Sequence, residues 1–361
     1  MECGIVGLPN VGKSTLFNAI TKKGIPSENY PFCTIDPHTG IVEVPDERIE
    51  KLHKLTKSKK IIFPTLTLID IAGLVKGAAS GEGLGNKFLA NIRETDAIIH
   101  VVRCFENEEV IHVEGRINPV EDIQTIELEL ILADLQMCEN SIVKLEKQMR
   151  GNKEIAPVLE AMKKVREGLD QNIPVRRQEL NDEDRDALKA YNFLTAKPVI
   201  YLANVDEGVL PSMENEFVEQ VRHYAAKEGS KVIPICAQLE QELVELGPEE
   251  GLEYLQSLGL EETGLTRLLK AAYELLGLIT YFTTGEQETR GWTITAGSPA
   301  PIAAGKIHTD IQKGFIRAEV VSFADYISCG SRSAAKDAGK ARAEGKEYIV
   351  QDGDVILFFH N

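Results

Sequence analysis

Long apolar runs are missing from this 361-residue sequence. No stretch approaches the roughly 18 consecutive apolar residues that a membrane span requires, which argues against a membrane-spanning helix. Paired cysteines are missing as well. The six present (Cys3, Cys33, Cys104, Cys138, Cys236 and Cys329) are scattered, with no C-x-x-C pair and no histidine cluster beside them. That pattern excludes a disulfide framework or a zinc site and suits reduced, buried thiols of a cytoplasmic protein. A basic excess is missing too: the formal net charge is −16. Nucleic acid bound over the whole surface is therefore not expected, nor is DNA specificity, and any RNA contact must come from a local basic patch. A cleavable leader is not expected, because the first strand begins within a few residues of Met1 and feeds a functional loop at Gly7. What is present is ordinary for a globular chain, with 43% apolar and 27% charged residues. The length suggests two or three domains with cores large enough to need no covalent staple.

Residues 1–118 alternate short apolar runs with helical stretches, the mark of a mostly parallel sheet with crossover helices. Strands are expected at 3–6, 65–70 and 97–103, with helices near 13–22 and 86–95. From about 121 to 195 apolar residues recur at helical spacing, among them Ile123, Ile126, Leu130, Ile142 and Leu145. This reads as an α-helical coiled-coil hairpin inserted into an α/β domain, with Asn181 capping a helix from 182. Strand pattern resumes at Pro198, with a helix near 217–227 and another strand at 231–235. Short strands at 291–295, 315–321 and 355–359 mark a small α+β domain over 278–361, leaving 1–277 as the nucleotide-binding domain.

The segment Gly7-Leu-Pro-Asn-Val-Gly12-Lys13-Ser14 satisfies G-x-x-x-x-G-K-[ST], between an apolar strand and a helix, as the motif requires. Backbone N–H groups of such a loop, backed by a helix N-terminus, wrap a β-phosphate. Lys13 then bridges the β- and γ-phosphates and the Ser14 hydroxyl ligates Mg²⁺. Asp70-Ile-Ala-Gly73 closes an apolar strand downstream. Asp70 is expected to hold Mg²⁺, and the Gly73 amide to sense the γ-phosphate. Thr34, in the non-periodic stretch Tyr30-Pro-Phe-Cys-Thr34, is the candidate effector-loop ligand for the same metal. Gly81-Glu-Gly83-Leu-Gly85 lacks the third glycine of a dinucleotide fingerprint at its proper offset and does not leave a strand.

A GTPase presents N-K-x-D after the next strand to grip guanine. Here the corresponding residues are Asn204-Val205-Asp206-Glu207. Valine replaces the lysine, and glutamate, one methylene longer, replaces the aspartate. Cys236-Ala237, where GTPases commonly show Ser-Ala, is the second base-loop candidate. Purine binding with weak guanine selectivity follows.

Gly-Leu-Pro-Asn-Val-Gly-Lys-Ser-Thr, Tyr-Pro-Phe-Cys-Thr, Asp-Ile-Ala-Gly-Leu-Val-Lys-Gly-Ala and Asn-x-x-Glu together resemble the YchF (Obg-like ATPase) family in its shorter bacterial form. The resemblance runs over essentially the whole chain, including the hairpin and a C-terminal domain similar to the β-grasp TGS domain. It implies a translation-factor-class P-loop ATPase that prefers ATP to GTP and associates with ribosomes. Carried over by position, it implies nucleotide contacts at Asn10, Val11, Gly12, Lys13, Ser14 and Thr15. Metal contacts fall at Ser14 and Thr34, and Asn204 with the Val205 backbone meets the base.

Leu74 stands where many GTPases place the glutamine that orients the attacking water. Slow intrinsic turnover is therefore expected, with His112, a K⁺ ion recruited at Asn10, or a partner supplying the missing help. Between residues 144 and 177 nine basic side chains face five acidic ones, Lys163, Lys164, Arg176 and Arg177 among the basic. The sign suits ribosomal RNA, and the composition also suits a solvated helical surface. The last 84 residues carry near charge balance, so their RNA-binding reading comes from the TGS resemblance alone. GTP hydrolysis, or a nucleotide-locked RNA-binding module with negligible turnover, remains open beside the ATPase reading.

Overall fold

The computed structural model describes residues 1–23, 38–71, 84–107 and 117–361. The chain forms two compact units, Met1–Gly40 with Thr67–Leu268, and Ile41–Leu66 with Leu269–Asn361. Residues 41–66, which the sequence reading leaves in the nucleotide-binding domain, thus belong to the second unit, as do 269–277.

In chain order the first half holds β1 (Glu2–Val6), α1 (Lys13–Lys23), β2 (Thr39–Glu43), α2 (Glu47–Thr56), β3 (Lys60–Ile62), β4 (Thr65–Asp70), α3 (Leu84–Glu94) and β5 (Ala97–Arg103). The hairpin follows as α4 (Pro119–Met149), α5 (Ala156–Asp170) and α6 (Asp182–Leu188). Next come β6 (Val199–Asn204), α7 (Glu216–Ala226), β7 (Lys231–Ile235), α8 (Ala237–Leu246), α9 (Pro248–Ser257) and α10 (Gly264–Leu275). The remainder is β8 (Leu278–Thr284), β9 (Glu288–Thr295), α11 (Ala300–Ile307), α12 (Thr309–Lys313), β10 (Phe315–Ser322), α13 (Phe323–Cys329), α14 (Arg332–Asp337), β11 (Arg342–Glu344) and β12 (Asp354–His360).

The first sheet runs β2-β4-β1-β5-β6-β7. The pairs β1–β4, β1–β5, β5–β6 and β6–β7 are all parallel. Every residue of β5 and β6 is buried, as expected of central strands covered on both faces. The connection leaving β1 leads to β2 on one side of the sheet and the one leaving the adjacent β5 leads to β6 on the other, so the two diverge at the carboxyl ends of these strands. That switch point is where open α/β sheets bind ligands.

The hairpin is built as the helical spacing foretells. Asn118 caps α4, its side chain accepting from the Glu121 amide at 3.2 Å with Pro119 in the first turn. Asn181 caps α6 through the Asp184 amide at 2.7 Å. Cys138, Ile142, Leu145, Leu159, Met162 and Val165 form the core between α4 and α5. The buried Asp134 of α4 accepts from the amides of Leu194 and Thr195 and from the Thr195 hydroxyl, tying the returning chain to the helix.

Two of the basic residues assigned to the hairpin face are not on a solvent face. Arg176 and Arg177 both pair with Glu127 of α4 and with Glu228, whose side chain is only 1% exposed. Tyr201 donates to Glu228 and Tyr224 to Glu127. Two guanidiniums against two carboxylates make this cluster neutral, and its cations are spent inside the protein. Lys163 and Lys164 are themselves paired, with Glu146 and Asp184.

His100 of β5 lies beside this cluster, its ring 5.8 Å from that of Tyr201. Burial, reinforced by the Arg176 charge and opposed by Glu228, pushes its pKa down to about 3. A histidine held neutral in the fold but free to protonate when unfolded contributes stability above its ordinary pKa near 6.5. That contribution is lost as pH falls toward the depressed value, at about 2 kcal/mol between pH 7 and pH 5. Urea unfolding at the two pH values should show this loss in the wild type and its removal in His100→Gln. Equal losses in both proteins would refute it.

The second unit is a mixed sheet, β11-β10-β12-β8-β9-β3, covered on both faces. Alternation along the strands sends Tyr281, Ile294, Ala318 and Ile356 to one face beneath α11, and Phe282, Val321 and Val355 to the other. The second face is closed by α13, α14 and α2, with Ile49 and Leu52 of α2 completely buried. Asp46 caps α2 and holds Arg48, which reaches Asp352 at 2.6 Å and lies 5.3 Å over the Phe282 ring.

Candidate functional site

The loop after β1 turns through two left-handed residues, Asn10 (φ 64°) and Gly12 (φ 92°). At Gly12 a Cβ would fall 2.2 Å from Asn204 Nδ2, so the close approach requires glycine whatever the dihedral. Asn204, at the end of β6, is the brace. It donates to the Val11 carbonyl at 2.9 Å and accepts from the Ala237 amide at 3.0 Å. One buried amide thereby locks the glycine loop to the turn between β7 and α8.

At the other end of the loop, Lys13 pairs with Asp70 at the end of β4, so residues 57 positions apart in sequence converge. Their side chains are 11% and 16% exposed, dry enough for the pair to matter and open enough for exchange. The Ser14 hydroxyl and the Asp70 carboxylate are hard oxygen donors of the kind Mg²⁺ takes, with waters and phosphate oxygens completing six. Among the described residues no group of three or more His, Cys, Asp or Glu gathers as a dedicated metal cage. The donor set thus fits a metal that arrives with a phosphate.

A cleft of about 880 Å³ opens here, lined by Asn10, Gly12, Lys13, Ser14 and Thr15 on one side and by Asn204, Val205 and Cys236 on the other. Lys13 is its only cation among the described residues. Val11 is buried beneath the loop and contributes its carbonyl to Asn204. Burial raises the Cys236 thiol to about 11, so it stays protonated at the start of α8. Thr34, Gly73, Leu74 and His112 lie outside the described residues.

Four wall residues escape the sequence reading. Phe105 and Asn107, just after β5, form part of the wall, as do Gln238 and Gln241 of α8. Arg103, 1% exposed, places the first two: it donates to the carbonyls of Phe105 and Asn107 and stacks 4.7 Å over the Phe105 ring. Their signal was positional, since each directly follows the carboxyl end of a parallel strand. Glu207, by contrast, does not line the cleft. Desolvation and the neighbouring Glu242 carboxylate raise its pKa, and Asp206 caps the turn through the Gly208 amide.

Residues 2–136 match a family described as 50S ribosome-binding GTPase, and residues 278–361 match the YchF GTPase C-terminal family, described as a protein of unknown function (DUF933). A "Ribosome-binding ATPase YchF" from Haemophilus influenzae is 55% identical over 361 residues, covering 100% of this chain and 99% of that protein. The chain belongs to the YchF family. The Bacillus subtilis protein of the same name is 51% identical over 363 residues, again with 100% and 99% covered. Among solved structures, the Schizosaccharomyces pombe YchF GTPase superposes on this YchF-family chain with a TM-score of 0.89 at 38% identity, covering 99% of this chain and 97% of that one. A Pyrococcus horikoshii GTP-binding protein, at 20% identity and a TM-score of 0.60, shares the fold.

Proposed function

We propose that this protein is a cytoplasmic, ribosome-associated, Mg²⁺-dependent ATPase that acts as a switch linked to translation. The observation that carries the reading is the Lys13–Asp70 pair beside a cleft that Lys13 and Ser14 line at one end and from whose base end Glu207 is absent. The names borne by its relatives, ribosome-binding ATPases, support it.

Lys13 would exchange Asp70 for phosphate oxygens, leaving Asp70 to join Ser14 and Thr34 around Mg²⁺, which supplies charge neutralisation at the phosphates. The amides from Asn10 to Thr15 would wrap the β-phosphate at the start of α1. Gly73 would report the γ-phosphate. Leu74 cannot orient water, so turnover would be slow, with His112 or a K⁺ at Asn10 assisting, or the ribosome itself. Asn204 would act on the base side by fixing the turn at Cys236 and Ala237, with the Val205 backbone presented to the base.

The second reading, GTP hydrolysis, is favoured by the match of residues 2–136 to a GTPase family and by Asp206 on the cleft wall. Competitive titration separates the two. ATP should bind about 5- to 150-fold more tightly than GTP, since guanine's polar edge would lose a bidentate partner worth roughly 1–3 kcal/mol. Clear GTP preference would overturn the ATPase reading. Single-turnover hydrolysis with and without purified ribosomes then separates an enzyme from a nucleotide-locked binding module.

A further inference from the structure

We propose that the end of α2, the turn that follows it and the start of β3, bearing Lys54, Lys57, Lys59 and Lys60, form a contact surface for the phosphate backbone of ribosomal RNA; this rests on the ribosome-associated reading above. The segment 41–66 has six basic and four acidic residues, and all four acids precede residue 51. The four lysines that follow are exposed, and none forms an ion pair with a described residue. Four free ammoniums within seven residues, on a chain of net charge −16, make the local basic patch that overall charge demands of an RNA binder.

The turn is also built to hold still. Lys57 closes α2 in the left-handed conformation (φ 52°, ψ 37°), its amide donating to the His53 carbonyl. Glycine or asparagine is the usual residue there, because a Cβ is strained in that region. A lysine kept at such a position places a cation on a fixed turn. Beneath it Ser58 is 6% exposed and donates to Thr289 Oγ1 at 2.9 Å, with His53 Nδ1 2.7 Å from its hydroxyl. Thr284 joins Thr289 at 2.8 Å and donates to Thr56 at 3.1 Å, so the turn is fastened to the sheet by a chain of hydroxyls. Lys59 and Lys60 then enter the edge strand β3, their amides bonded to the carbonyls of Glu286 and Gln287. A phosphate backbone meeting this edge finds the main chain that bears the cations already ordered, so the entropy lost on binding is that of the lysine side chains alone. The hairpin, by contrast, spends Arg176 and Arg177 internally and pairs Lys163 and Lys164 with carboxylates, leaving Lys144, Lys147, Arg150 and Lys153 exposed where α4 ends.

The test is a full-length variant carrying Lys54→Gln, Lys57→Gly, Lys59→Gln and Lys60→Gln. Lys57→Gly preserves the turn, so folding is retained, and a circular-dichroism melt verifies it. Binding to purified ribosomes and to naked ribosomal RNA is measured across a salt series for variant and wild type. On both, the slope of log affinity against log salt should flatten by about two to three units, since each lost phosphate contact removes somewhat under one. ATP affinity should be unchanged. If the wild type holds ribosomes and the variant keeps the same slope, the inference falls and the ribosome reading stands. A slope lost on ribosomes but kept on naked RNA assigns the lysines to an acidic ribosomal protein and overturns the RNA assignment. Wild-type protein that holds naked RNA through these lysines but not ribosomes keeps the inference and overturns the reading beneath it. Wild-type protein that holds neither overturns both.

Discussion

Lys13→Ala should weaken ATP binding by about 100- to 1,000-fold, equivalent to roughly 3–4 kcal/mol. Three effects add in the same direction. The substitution removes the only cation among the described residues of the cleft, leaving Glu106 and Asp206 in its wall to face an incoming triphosphate. It also removes a charge-assisted hydrogen bond, worth about 1.5–3 kcal/mol where water is scarce. Finally, it strips the counter-charge from Asp70, whose carboxylate then repels the γ-phosphate unless Mg²⁺ already screens it. Equilibrium titration with ATP at fixed Mg²⁺ checks the size of the loss, with a circular-dichroism melt to show that the fold survives. A loss below threefold would mean that the loop amides alone hold the phosphates and that Lys13 has been given too large a part.

The glycine loop and the strands that flank it are legible in the sequence because they depend on local chain geometry. A glycine loop between a buried strand and a helix can be recognised from eight residues, and β4, β5 and β7 fall at 65–70, 97–103 and 231–235 as their apolar runs indicate. What escaped depends on distant packing. The sequence position of Asn204 suggests a base contact, and no local signal announces that its side chain clamps Val11 to Ala237, residues respectively 193 and 33 positions away. The basic hairpin face was counted from charge alone, and a count cannot show that Glu127 and Glu228 take up Arg176 and Arg177 from other elements. Residues 41–66 give a weak local signal because β2, α2 and β3 are short. Yet Asp46 ahead of Glu47 and Glu50 is a capping signal, with Ile49 and Leu52 spaced on one helical face. The sheet which that face covers comes from residues more than 220 positions later, and no window of local sequence contains it.

The same long-range packing makes residues 278–361 inseparable from 41–66. Deleting 278–361 should leave a protein that aggregates, with α2 unfolded. Ile49 and Leu52 are fully buried only because Phe282, Val321, Tyr326 and Val355 lie against them. Exposing two such side chains costs about 3–6 kcal/mol, a large share of the roughly 5–15 kcal/mol that holds a domain together. β3 loses β9, its only partner strand among the described residues, at the same time and becomes a free apolar edge with Ile61 and Ile62. Hydrogen exchange on the truncated chain should find the α2 amides unprotected, where the intact protein protects them. The geometry also supplies a rescue. The Val44 amide donates to the Pro64 carbonyl at 2.8 Å, so the chain leaves and returns at nearly one point. Replacing residues 45–63 of the truncated protein with a short glycine-rich turn should restore solubility and keep nucleotide binding, because it removes the orphaned apolar face and leaves Lys13 and Asp70 in place. If the truncated chain is already monodisperse with α2 protected, residues 41–66 have another support, and their assignment to the C-terminal unit is wrong.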